Sequence, residues 1–358
     1  MVSIHTFELA MEVDRETFYN WRDRVKSKSK YNKEEERDYT LVKNGITVWY
    51  HKTEFKKKIK LIVNPSRLLG YDDLIELWEP KRKNVARLLV ELEKHIASYF
   101  DSEYELNDFK LSRIDFTKNI RLDSSEKVSA YIKVLYNIRK VKGFSPKYGS
   151  NDDWYDEDLS FDLEGNSNGI EFTAYDKEAA IEQNIKNKEF KRKEMGARKE
   201  IARGILRIEV RLVSQKAIRS YTNEDETVKR IINLSEKRDK IFMDTFIHVV
   251  PFGDFYKKDH VIRIINEKVT DKKLKTKMVR LLELIPKKKS LYLALKEMSD
   301  RNIDRILDEF HKSNISPVTI SKRHNIKHLK NLYIFLNNKQ GRAEARFLFV
   351  IHCIIYTK

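Results

Sequence analysis

Three stretches decide the fold: Leu111-Ser-Arg-Ile-Asp-Phe-Thr117, Gly169-Ile-Glu-Phe-Thr-Ala-Tyr-Asp-Lys177 and Ile205-Leu-Arg-Ile-Glu-Val-Arg-Leu-Val213. Each alternates with period two, so each predicts a strand with one apolar and one polar face. Ile114 and Phe116 oppose Arg113, Asp115 and Thr117. Ile170, Phe172 and Ala174 oppose Glu171, Thr173, Tyr175 and Lys177, while Leu206, Ile208, Val210 and Leu212 oppose Arg207, Glu209 and Arg211. If the strands share one sheet with the apolar face under helices, the polar faces coincide. Asp115, Glu171 and Glu209 then gather among Arg113, Lys177, Arg207 and Arg211. Carboxylates brought this close repel unless a cation or protons lie between them, and a hard ion such as Mg²⁺ or Mn²⁺ prefers oxygen ligands. The same alternation of Arg and Glu also describes a wet sheet face laced with cross-strand ion pairs.

Around this core the pattern predicts an α+β fold: an antiparallel sheet covered by helices on one face, with a mainly helical C-terminal region. Residues 14–28 carry Phe18, Trp21 and Val25 at helical spacing. A hairpin follows, from Tyr39-Thr-Leu-Val through Asn44-Gly45 to Ile46-Thr-Val-Trp-Tyr50, since Asn-Gly suits a type I′ turn. A third strand, Ile59-Lys-Leu-Ile-Val63, and a long helix over 72–100 complete residues 1–107. Residues 108–215 form the sheet core. Residues 216–358 read as helical, with a helix-turn-helix pattern over 316–331 that would turn Lys327, His328, Lys330 and Asn331 toward a groove.

Charge points to the partner. The 72 Lys and Arg outnumber the 55 Asp and Glu by 17 over 358 residues, which favours a polyanion, most simply nucleic acid. The basic segment 186–203, with Lys191, Arg192 and Lys193, suits phosphate contacts without sequence choice. One cysteine, Cys353, excludes a disulfide framework. No apolar run is long enough to span a bilayer and no signal-peptide layout opens the chain, so the expected location is the cytoplasm without a membrane partner. Neither a Walker-type phosphate loop nor a dinucleotide glycine fingerprint is present.

The ordered trio of strands resembles the core of rolling-circle replication initiators and related relaxases of phages, plasmids and mobile elements of Gram-positive bacteria. The resemblance covers about residues 108–213. It implies a divalent-metal endonuclease that nicks one DNA strand at an origin through a tyrosine hydroxyl and works with host replication proteins. By position, Asp115 and Glu209 fall on the acids of the first and third motifs, and Tyr175 and Lys177 on the second. The resemblance puts Phe161 where the nucleophilic tyrosine belongs. Tyr155, inside an acidic run, and Tyr148 are then the nearest nucleophile candidates, with Tyr175 behind them. No His-x-His pair is present. A protein that kept the scaffold and lost the nucleophile would instead bind origin or single-stranded DNA, using its aromatics as stacking platforms.

Overall fold

The computed structural model describes residues 1–28, 31–32, 37–38, 44–71, 75–100, 104–147, 159–186, 192–298 and 303–336. Tyr148, Tyr155, Lys191, the expected strand over 39–42 and residues 337–358 lie outside the described residues, as do the side chains of Arg192 and Lys193.

Ten strands make one antiparallel sheet: β1 (Ser3–Val13), β2 (Tyr31–Asn32), β3 (Arg37–Asp38), β4 (Ile46–Lys52), β5 (Lys57–Val63), β6 (Lys110–Arg121), β7 (Phe144–Pro146), β8 (Ser160–Gly165), β9 (Ile170–Asp176) and β10 (Ile205–Leu212). Their spatial order is β2-β3-β4-β5-β1-β6-β10-β9-β8-β7. The three diagnostic stretches are therefore adjacent as β6, β10 and β9. β1 enters the sheet centre between β5 and β6, and it was not foreseen. Phe7, Leu9 and Met11 alternate along it toward the core, but a bulge near its start breaks the simple period. The expected boundary at 107 falls between β1 and β6, two strands hydrogen-bonded to each other.

Helices cover the apolar face. α1 (Arg15–Lys28), α2 (Pro65–Leu68), α3 (Arg82–Tyr99) and α4 (Ser125–Tyr136) alternate with the early strands. Asp14 starts α1 by accepting the Thr17 amide at 2.9 Å. α1 then sets Phe18 edge-on to Tyr50 and Trp21 against Phe100. The helix expected over 72–100 begins only at Arg82. Before it, Pro80 disfavours helix in the preceding residue, and the segment 75–80 runs against β1, where Trp78 Nε1 donates to the Ile4 carbonyl at 2.8 Å and Ser3 Oγ donates to the Trp78 carbonyl at 2.6 Å.

α5 (Lys177–Lys186) and α6 (Arg192–Ala202) bridge β9 to β10. α7 (Gln215–Arg219), α8 (Thr227–Glu236), α9 (Arg238–Val249), α10 (Lys258–Lys268), α11 (Lys272–Lys288), α12 (Leu291–Met298) and α13 (Ile303–Lys312) form the C-terminal helical region. α4 and α9 lie on the sheet, with Tyr136 against Phe161 and Phe246 against Phe172. A two-stranded ribbon, β11 (Phe255–Tyr256) with β12 (His328–Leu329), closes that region. The helix-turn-helix expected over 316–331 is absent. Asp254 holds this segment extended instead: its carbonyl accepts from the Ser316 amide at 2.8 Å and its carboxylate from the Asn331 amide at 2.8 Å.

Candidate metal centre

Register across the sheet stacks the polar side chains in rows. Glu171, Arg211 and Asp115 lie opposite one another on β9, β10 and β6, and Thr173, Glu209 and Thr117 form the next row. On β1 the pairing runs Ser3 with Thr117 and Ile4 with Phe116, then jumps to Thr6 with Asp115. His5 is the extra residue of this bulge, and a bulge re-aims the side chain it carries. His5 Nδ1 stands 3.8 Å from Glu209 Oε1. One donor atom each from His5, Asp115 and Glu209 lie within 4.8 Å of one another.

Each acid also holds an arginine two residues away on its own strand. Arg113 donates to both oxygens of Asp115, at 2.8 and 2.5 Å, and Thr6 Oγ1 donates to Oδ2 at 2.6 Å. Arg211 donates to Glu209 Oε2 at 2.7 and 3.2 Å, while the Tyr175 hydroxyl donates to Oε1 at 2.8 Å. A carboxylate offers about four lone-pair positions; three donors on each leave one for a cation. The fit extends to Thr117, fully buried in the row of Glu209, whose Oγ1 has no hydrogen-bond partner. An orphaned buried hydroxyl calls for an ion or its water. One imidazole with two carboxylates is a donor set that a divalent metal ion can take.

Electrostatics prepare these donors. Burial pushes the His5 pKa down to about 3, with Arg207 and Lys177 adding to it against the opposing pull of Glu209. The imidazole is thus neutral and its lone pair available. Burial by itself would raise Glu209, but the charges of Arg211 and Arg207 outweigh it and hold the carboxyl well below the usual range, hence ionised. Tyr175 goes the other way: burial, then the charge of Glu209, pushes its hydroxyl up and disfavours the phenolate.

The Phage CRI family model, described as the N-terminal part of a replication-associated protein, matches residues 26–230, more than half of the chain. The chain belongs to this family. A comparison with curated proteins gives no significant match. Among solved structures, the rolling circle replication initiator protein from Geobacillus stearothermophilus aligns at 9% identity, covering 76% of this chain and 89% of that one with a TM-score of 0.27.

In this member of the Phage CRI family, the acids singled out by sequence separate into two groups. Asp115 and Glu209 converge. Glu171 sits one strand outward, accepting from Lys147 Nζ at 2.7 Å with Arg211 at 3.7 Å. His5, missed by sequence, takes the third place near the pair; its only signal was the irregular alternation of Ile4, His5, Thr6 and Phe7. Arg207 is fully buried and donates to Asn119 Oδ1 at 2.8 Å, so it shapes the floor of the site. Lys177 is buried where β9 passes into α5. Phe161 is 2% exposed on the opposite, apolar face of β8, between Tyr136 and Phe172. No helix among the described residues is long and apolar enough to cross a membrane.

Proposed function

We propose that the protein initiates rolling-circle replication by nicking one strand of an origin. The single observation that carries this reading is the convergence of His5, Asp115 and Glu209 on the polar face of a sheet in a replication-associated protein family. These three residues would hold Mg²⁺ or Mn²⁺, which supplies charge neutralisation at the attacked phosphate and at the departing 3′ oxygen. A tyrosine oxygen replaces that 3′ oxygen at phosphorus, leaving a 5′-phosphotyrosyl link and a free 3′-OH. Tyr155 leads as nucleophile, followed by Tyr148. Tyr175 is better suited to orienting Glu209, because its own hydroxyl is held against that acid. Arg113 and Arg211 exchange carboxylate for backbone phosphate when DNA enters, and both ligands suit a planar guanidinium. Lys177 adds positive charge beside them. Residues 108–215 carry most of the chemistry, 1–107 complete the sheet and add His5 to the centre, and 216–358 serve DNA or host-protein contacts.

Incubation with supercoiled origin DNA and Mn²⁺ tests this reading. The expected products are relaxed circles and a protein–DNA adduct that survives a denaturing gel, abolished by Tyr155→Phe and kept by Tyr175→Phe. The Tyr175 hydroxyl, held by Glu209 and disfavoured as a phenolate, is ill-suited to attack, which supports one alternative, a binder of origin or single-stranded DNA that has lost the nucleophile. Origin binding with neither adduct nor relaxed circle would establish that alternative and overturn nicking.

A further inference from the structure

The hairpin joining β4 to β5 ends in Thr53-Glu54-Phe55-Lys56, and Phe55 is 88% exposed, the most exposed large apolar side chain among the described residues. An aromatic ring in that position adds nothing to the core. The turn presenting it is braced four times over. The Thr53 amide donates to the Lys56 carbonyl at 2.8 Å and the Lys56 amide to Thr53 Oγ1 at 3.0 Å. Thr53 Oγ1 reaches the Lys56 carbonyl at 3.3 Å, and Lys57 Nζ donates to the Thr53 carbonyl at 2.8 Å. The ring is therefore held out on a defined turn.

Cations surround it. Lys52, Lys56, Lys57 and Lys58 lie within six residues of one another, against Glu54 and the nearby Glu12, which pairs with Lys56 at 3.2 Å and Lys58 at 3.0 Å. If these lysines served only to keep the hairpin from aggregating, an exposed phenylalanine at its tip would undo their work. An acidic peptide would use the lysines and leave the ring idle, and duplex DNA hides its base faces. A single strand offers both an unstacked base and flanking phosphates, the pairing of stacking platform and positive groove that such binders use.

We infer that the β4–β5 tip is a single-stranded DNA contact, with one base stacked on Phe55 and its neighbouring phosphates on the lysines. The inference rests on the reading of DNA as substrate and places a second contact well away from the metal centre. Thr6, Glu8 and Glu12 lead from one to the other along β1, with Glu8 paired to Lys60 at 3.1 Å on the way. Six residues of strand span about 20 Å, the rise of about six stacked nucleotides. A strand held at the centre can therefore reach the tip without looping.

The test uses the full chain and a fluorescent oligothymidylate in anisotropy titrations. Phe55→Ala is expected to weaken binding roughly 5- to 150-fold, the range for loss of one stacked base. Phe55→Trp is expected to keep affinity and to show emission quenched by oligothymidylate but not by polyglutamate, which offers charge without bases. Unchanged affinity in Phe55→Ala, an unresponsive signal from the introduced tryptophan, or equal quenching by polyglutamate overturns the inference. Failure of the wild-type chain to bind the oligonucleotide overturns it as well. The origin adduct assay reads nicking separately, so a defect at the tip and a failure of the nicking reading give different results.

Discussion

Replacing Glu209 by Gln removes the charge around which the centre is organised. The side chain is 2% exposed and accepts from Arg211 and Tyr175, with the fully buried Arg207 close enough to influence its ionisation. Breaking a buried ion pair by neutralising one member costs about 3–5 kcal/mol, because the other charge stays buried and uncompensated. Two features soften this. Glu171 lies 3.7 Å from Arg211 and keeps part of the compensation, and the carbonyl of the new amide can still accept one hydrogen bond. A net loss of about 2–3 kcal/mol follows, a large share of the ~5–15 kcal/mol typical of a folded protein. Urea unfolding followed by circular dichroism, with chelator present, measures it.

The pH dependence supplies the sign. The folded carboxyl titrates below its ordinary value of 4.5, so beneath that pH the unfolded chain binds the extra proton and the wild type loses stability. The amide of the variant has no proton to gain. The gap between the two proteins should stay level above about pH 5.5 and narrow by about 1.4 kcal/mol per pH unit below 4.5. A deficit under about 0.5 kcal/mol, or one that persists unchanged at pH 3.5, would refute the role assigned to Glu209.

Three further outcomes are expected. His5→Gln should weaken Mn²⁺ binding, measured calorimetrically without DNA, by at least the ~10–100-fold that loss of an outer-shell partner causes, whereas Glu171→Gln should leave it within a few-fold. Phe161→Tyr should restore no adduct to the Tyr155→Phe variant and should cost about 1–3 kcal/mol in urea unfolding, since the new hydroxyl enters an apolar core. Gly169→Ala should cost about 1–3 kcal/mol, because Gly169 has φ +67° and an added Cβ would stand 1.9 Å from Ser214 Oγ. Combined with Ser214→Ala, which removes that oxygen together with the cap on the Ala217 amide, the loss should be smaller than the sum of the single losses.

Legibility followed regularity. β6, β9 and β10 could be read because their alternation is unbroken, and their adjacency put Asp115 and Glu209 on one face. β1 was hidden because its bulge sets His5 and Thr6 against one partner residue, so a period-two reading loses phase where His5 lies. Glu171 has the same parity as Glu209, but parity does not tell which acid is satisfied by a neighbour; Lys147 on the other side of β8 settles that. The segment 316–331 has helical-looking spacing, yet the amides at its two ends, Ser316 and Asn331, donate to Asp254, a partner 60 or more residues away that no local pattern reveals.

The central position of β1 has a consequence for synthesis. Ser3 pairs with Thr117, so β1 leaves the ribosome about a hundred residues ahead of β6 and cannot complete its ladder until then. At about 5–20 residues per second this is a wait of roughly 5–20 s, during which β1 has at most β5 beside it. The nascent chain thus carries an open, apolar strand edge through much of its early life, and such long-range closure folds slowly. Chaperone demand should accordingly peak as residues 64–121 are being made.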